Sequence, residues 1–165
     1  MSVLQRRQVT GTALAEAQAF RRRWRMALPP DSYVDSMPCD PDLLVELGRV
    51  GWAAARLHAS VRDSINRHQG AASDQPFEMT LGQAVSSLEQ SARGAGRADQ
   101  VAWAEEAGRP AVKMRNAVVH AVTFTAQDGR QALGTVDRLP PTRFHVEDLR
   151  RVALHLIHAS MTLPA

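Results

Sequence analysis

The segment from Arg115 to His120 reads Arg-Asn-Ala-Val-Val-His. It sets a guanidinium, a carboxamide and an imidazole close together along the chain. Arg109, Lys113, Asn116 and His120 recur at steps of four, three and four. An α-helix turns about 100° per residue, so Asn116 and His120 fall only about 40° apart on one face. Arg115 falls roughly 140° from His120 by the same rotation, and its long side chain can reach across or serve a neighbouring subunit. Ala107, Ala111, Met114, Val118 and Ala121 supply an apolar stripe for the other side of the same helix. These residue types suit phosphodiester chemistry. RNA carries its own nucleophile, the 2′-hydroxyl, so cleavage needs no metal. Histidine, with an ordinary pKa of about 6.5, exchanges protons near neutrality, which makes His120 the candidate general base or acid. Arg115 can bind two phosphate oxygens and offset the charge that builds up in the transition state. Asn116 can fix the imidazole or hold the phosphate. Arg109 and Lys113 on the same face are candidate RNA-binding residues. The competing reading is a polar helix face that is merely solvated.

The elements that must hold this face are helical. Leu43, Leu44, Leu47, Val50, Ala54, Leu57, Val61 and Ile65 form a stripe over a helix expected from Pro41 to His68. Asp40 is placed to cap it, and Pro41 suits the first turn. Gly48 and Gly51 weaken it by roughly 1 kcal/mol each and are expected to admit a close neighbour. Residues 69–78 read as a loop. Thr80 and Gln83 form a capping-box pattern for a shorter helix whose core positions are Leu81, Val85 and Leu88. A helix follows over 98–122, with Pro110 expected to kink or split it. Residues 123–135 predict a hairpin turning at Asp128-Gly129. A last helix over 146–161 should bury Leu149, Val152, Ala153, Leu156 and Ile157. Trp52 and Trp103 are expected in the core, and His145 at a turn, with a supporting role near the cleft as the alternative. His155 and His158 share a face of the last helix without a third ligand. They are read as solvated or core-edge histidines, and neither a metal nor a cofactor is expected.

Of the 165 residues, 44% are hydrophobic, enough for a real core. The single cysteine, Cys39, allows no internal disulfide and no zinc site of its own, and a role for it is not expected. No apolar run approaches a membrane span, and the first residues lack a secretory pattern, so a cytoplasmic protein without a membrane partner is expected. The net charge is +3, but residues 1–30 hold six arginines against Glu16. Subtracting their +5 leaves −2 for residues 31–165, so the basic character belongs to the N-terminal arm. Residues 1–40 are therefore read as a helical arm, helical over about 12–27, followed by a Pro-rich linker at 29–41. Residues 41–165 are read as the domain. The cluster Arg21–Arg25, interleaved with Trp24, is read as a solvated or docking face, with RNA contact as the alternative.

The Arg-Asn pair followed by His120 after a short spacer, on the second long helix of the domain, resembles the signature of the HEPN superfamily. The helix order over about 41–160 is similar as well. That resemblance implies an all-α, four-helix bundle, here with a short β-hairpin inserted before the last helix and an N-terminal helical arm. It implies a metal-independent endoribonuclease of bacterial toxin or defence type, with Arg115, Asn116 and His120 as the catalytic set. It also implies a homodimer whose two motifs face one cleft, and a nucleotidyltransferase-type antitoxin as a candidate partner. The alternative within the family is a non-catalytic module that binds a nucleotide, RNA or a protein through the same pocket.

Overall fold

A computed structural model describes residues 30, 32–36, 40–70, 78–135 and 143–165. The chain divides into two units, Met1–Pro38 and Cys39–Ala165. In the first, helix α1 (Ser32–Ser36) is a short turn in which Tyr33 N donates to the Pro30 carbonyl at 2.8 Å and Ser36 Oγ to the Tyr33 carbonyl at 3.0 Å. The stretch expected to be a plain linker thus contains local helix. The expected arm helix, the Arg21–Arg25 cluster and Cys39 lie outside the described residues.

In the second unit α2 spans Pro41–Gln69. Its start follows from Asp40, whose carboxylate accepts from Asp42 N at 3.0 Å and Leu43 N at 3.3 Å, satisfying donors that the first turn leaves open. It closes at Gly70, whose φ of 61° is left-handed and suits glycine. Helix α3 (Leu81–Gly94) opens on the expected capping box: Gln83 N donates to Thr80 Oγ1 at 3.3 Å, and Thr80 N to Gln83 Oε1 at 2.8 Å. Helices α4 (Ala98–Trp103) and α5 (Arg109–Val119) are joined by a π-helical turn over Ala104–Gly108. There Arg109 N bonds the Ala104 carbonyl five residues back. Pro110, which has no N–H to give, follows at once, so the predicted break takes the form of a π turn within a continuing rod. The helix ends at Val119 rather than 122, because Val122 already begins a strand.

Strands β1 (Val122–Thr125) and β2 (Gln131–Gly134) form the expected antiparallel hairpin, with Val122 opposite Gly134 and Thr125 opposite Gln131. Gly129 turns it at φ 81°. A third strand, β3 (Arg143–Phe144), pairs antiparallel with β2, beyond the hairpin that the sequence predicts. Two residues are too few to show an alternation. Helix α6 (Val146–Thr162) closes the chain. His145 precedes it as a turn residue, its backbone N donating to Asp148 Oδ2 at 3.1 Å. The described part is therefore mostly helical, with a small three-stranded sheet.

Helix direction follows from contacts at one end. Gln100 Nε2 donates to Ser64 Oγ at 3.2 Å and to the Pro164 carbonyl at 3.1 Å, and Arg97 Nη2 donates to the Ala165 carbonyl at 2.6 Å. The C-terminal ends of α2, α3 and α6 thus gather at the start of α4, and α4–α5 runs back between them. Leu57, Leu88, Leu149 and Leu156 are fully buried where these helices meet. Truncating any of them to alanine costs about 2–5 kcal/mol. Trp103 is core as expected, its indole N–H donating to the Ala159 carbonyl at 2.9 Å. Four expectations fail. Trp52 is 72% exposed, Leu44 and Ile157 face outward, and Gly48 and Gly51 have no neighbour within 4 Å of a built Cβ. Ala53 and Ala159 are buried instead, because the buried side of each helix is rotated slightly from the centre of its apolar stripe.

Candidate functional site

Helix α5 turns one side toward α3, and the two enclose a cleft of about 470 Å³. Arg109, Lys113, Asn116 and His120 all line it, so the periodic polar face is brought together on one surface. Val85, Val112 and Ala117 supply its apolar lining. The helices meet closely here: a Cβ on Gly82 would lie 3.4 Å from Val112 Cγ1. Ser86 and Thr135 add hydroxyls that the sequence reading did not single out. Ser86 lies four residues beyond Gly82 on the same face of α3. Thr135 comes from beyond β2, which no local pattern could have signalled.

His120 is the first residue past α5. Its backbone N still donates to the Asn116 carbonyl at 3.0 Å, which holds its side chain in helical register above Asn116. The imidazole is exposed and Asn116 is half-buried. Arg115 does not line the cleft. Its Nη1 donates to Asn116 Oδ1 at 3.0 Å, which occupies the amide oxygen and leaves the amide N–H groups as donors. Among the described contacts Asn116 is therefore oriented by Arg115 and not by His120.

Arg109 is held in place by an acid twenty residues earlier. Its Nη2 donates to Glu89 Oε2, while Glu89 Oε1 accepts from Arg93 Nη2 at 2.7 Å, and Arg93 also reaches Glu105 at 2.9 Å. Glu89 is buried at 6% exposure. The Arg93 hydrogen bond, aided by the charges of Arg109 and Arg93, holds its carboxyl below the ordinary 4.5 against the opposing effect of burial. Half of this link is legible: Glu89 and Arg93 are four apart on one helix. The other half needs the tertiary fold. Lys113 has no acidic partner among the described residues, so it is the cation of the cleft whose charge is not already offset.

The arrangement offers an exposed imidazole, two amide N–H donors, a lysine and two hydroxyls around an apolar floor, which suits an anion with an organic portion. His155 and His158 lie elsewhere, exposed along the groove between α4–α5 and α6 with Asp99 and Glu106. Among the described residues no group of three His, Cys, Asp or Glu is placed to hold a metal ion. No described helix is long and apolar enough to cross a membrane. No family model matches the chain, and neither a curated protein nor a solved structure is significantly similar to it.

Proposed function

We propose that the protein is a metal-independent endoribonuclease of toxin or defence type, built on a HEPN-like four-helix bundle. The observation that carries the reading is that Lys113, Asn116 and His120 line one cleft, as their spacing predicts. In this reading the RNA 2′-oxygen attacks the adjacent phosphorus while His120 takes its proton. The P–O5′ bond breaks, the departing oxygen gains a proton, and a 2′,3′-cyclic phosphate remains. Lys113 and the Asn116 amide hold the non-bridging oxygens. Arg109 is the outer RNA contact, its position set by Glu89. Base and acid are both needed, and one chain supplies one cleft histidine, so a homodimer brings a second His120 to the same groove. Arg115, outside its own cleft, then serves the neighbouring one. The same resemblance makes a nucleotidyltransferase-type antitoxin the candidate regulator.

The test is incubation of the full-length protein with structured and unstructured RNAs in EDTA. Cleavage leaving cyclic phosphate ends is expected, and His120→Ala should lower the rate by about 10²–10⁴-fold with an unchanged circular dichroism spectrum. Absence of cleavage, or cleavage indifferent to His120→Ala, overturns the reading. The position of Arg115 outside the cleft favours one rival, a module that binds RNA or a nucleotide without cutting it. That rival is recognised by saturable binding that Lys113→Ala weakens and that no product accompanies.

A further inference from the structure

On the flank opposite the cleft, α2 and α6 lie side by side and parallel, tied by Ser60 Oγ and Ser160 Oγ at 2.9 Å. Their outer faces enclose a groove of about 850 Å³. Leu44, Val45, Trp52, Leu154, Ile157 and Met161 line it, and all six are exposed, Trp52 at 72% and Met161 at 80%. The spacing is that of a helix seat. Val45, Gly48 and Trp52 recur at steps of three and four along one wall, and Leu154, Ile157 and Met161 do the same along the other. Gly48 leaves a gap between Val45 and Trp52, since a Cβ built there meets nothing within 4 Å. From Leu44 to Arg56 the wall rises about 18 Å, the length of a helix of three to four turns.

The charges at the rim decide what fits. Arg49, Arg56 and Arg150 belong to the lining. The acid among the lining residues, Glu46, is buried and paired with Arg49. Arg56 and Arg150 have no acidic partner among the described residues. Burying that rim against a surface of the same sign is unfavourable. A second copy seated groove to groove would add its own Arg56 and Arg150 to the same basic rim. Residues 1–30 of this chain, at +5, carry the same sign as the rim. One tryptophan among aliphatic side chains is a poor stacking platform for single-stranded nucleic acid.

We propose that this groove docks an amphipathic helix of a different protein, apolar on one face and flanked by carboxylates that pair with Arg56 and Arg150. It stands independently of the nuclease reading, because the cleft residues take no part in it.

Fluorescence anisotropy with the full-length protein tests it. The probes are labelled helical peptides of about 18 residues, long enough to cover the groove. One carries a Leu/Ile stripe flanked by Glu, one the same stripe flanked by Lys, and one the sequence of residues 12–29. Saturable binding of the Glu peptide, at least about ten-fold tighter than the Lys peptide, is expected. Trp52→Ala should weaken it about ten-fold, as loss of a central aromatic anchor does. Arg56→Glu combined with Arg150→Glu should reverse the preference. These side chains are exposed, so circular dichroism should not change. Equal binding of the two designed peptides overturns the proposal. So does tighter binding of the 12–29 peptide, or displacement of the Glu peptide by a single-stranded RNA. In sedimentation, a dimer that Met161→Glu dissociates assigns the groove to a second copy and also overturns it. A dimer that survives Met161→Glu leaves the groove free and agrees with it.

Discussion

The α3–α5 flank and the outer face of α2 each bury one glutamate and each carry glycine in mid-helix, yet they use them in opposite ways. Glu89 has an arginine on each carboxylate oxygen. Glu46 has Arg49 on one oxygen, and Oε2 has no hydrogen-bond donor among the described residues. Gly108 is crowded: a Cβ there would lie 3.0 Å from Trp103 Cζ3 and 3.0 Å from Val85 Cγ1. Gly48 and Gly51 face open space. One flank is finished within the chain. The other leaves one oxygen of a buried carboxylate and two helical glycines without an internal contact.

The largest effect should come from the finished flank. Glu89→Ala removes an acceptor shared by two guanidiniums. Hydrogen bonds to charged groups contribute about 1.5–3 kcal/mol each, but half-exposed arginines recover hydration, so the expected loss is about 2 kcal/mol in denaturant titration. The loss must depend on pH. The folded carboxyl titrates below the ordinary 4.5, so the unfolded chain binds the proton more readily. Its contribution is complete above that value and disappears as the pH falls through the folded pKa. The difference in Tm between wild type and Glu89→Gln should therefore narrow over the acid range below the ordinary 4.5. A gap that stays constant over that range would show that the charge of Glu89 is not what stabilises this flank.

Gly108→Ala comes next. Alanine gains about 1 kcal/mol of helix propensity over glycine. Against that, overpacking a filled core costs about 1–3 kcal/mol. The Trp103 ring is 5% exposed and Val85 1%, so neither has room to yield. The net result should be a loss of about 1 kcal/mol, visible as a lower Tm. Gly108→Ala that stabilises would mean that the π turn relaxes into regular helix and frees the contact.

These pairings also show what was readable beforehand. Asp40, the Thr80–Gln83 box, and Asp128-Gly129 act through neighbours two to four residues away, so helix starts and the hairpin were visible in the chain. So was the face shared by Lys113, Asn116 and His120, because helical rotation alone sets it. Arg109 shares that face by the same rotation, but its pairing with Glu89 depends on two helices meeting. Leu44 and Ile157 read as core because they belong to broad apolar stripes, and Trp52 because a large aromatic within a helix is usually buried. A stripe wider than its contact leaves residues over, and only the packing partner decides which. Gly108 carries no local signal, since its need for a missing side chain arises from Trp103 and Val85 together.

On the unfinished face, Gly48→Ala and Gly51→Ala should each stabilise the protein by about 0.5–1 kcal/mol, because alanine loses less backbone entropy in a helix and meets no neighbour. Thermal unfolding of the single and double variants measures it. Destabilisation would mean that these positions are covered in solution. Gly48→Ala should meanwhile weaken binding of the Glu-flanked peptide, which separates a glycine kept for a partner from one without a use.

The smallest effect, Glu46→Gln, isolates the glutamates. The substitution keeps the shape and retains an oxygen for Arg49. It weakens a bond to a guanidinium that is half in water, and it also removes the cost of holding a charge at 4% exposure with one oxygen unserved. The two terms oppose each other, so the stability change at neutral pH should stay within about 0.5 kcal/mol, against a clear loss for Glu89→Gln. Equal losses at the two positions would end the contrast between the flanks. A loss at Glu46 that grows with protein concentration would be more specific. It would mean that the missing donor to Oε2 comes from another copy of the chain, and that the α2 face is completed by self-association instead of by an acidic helix.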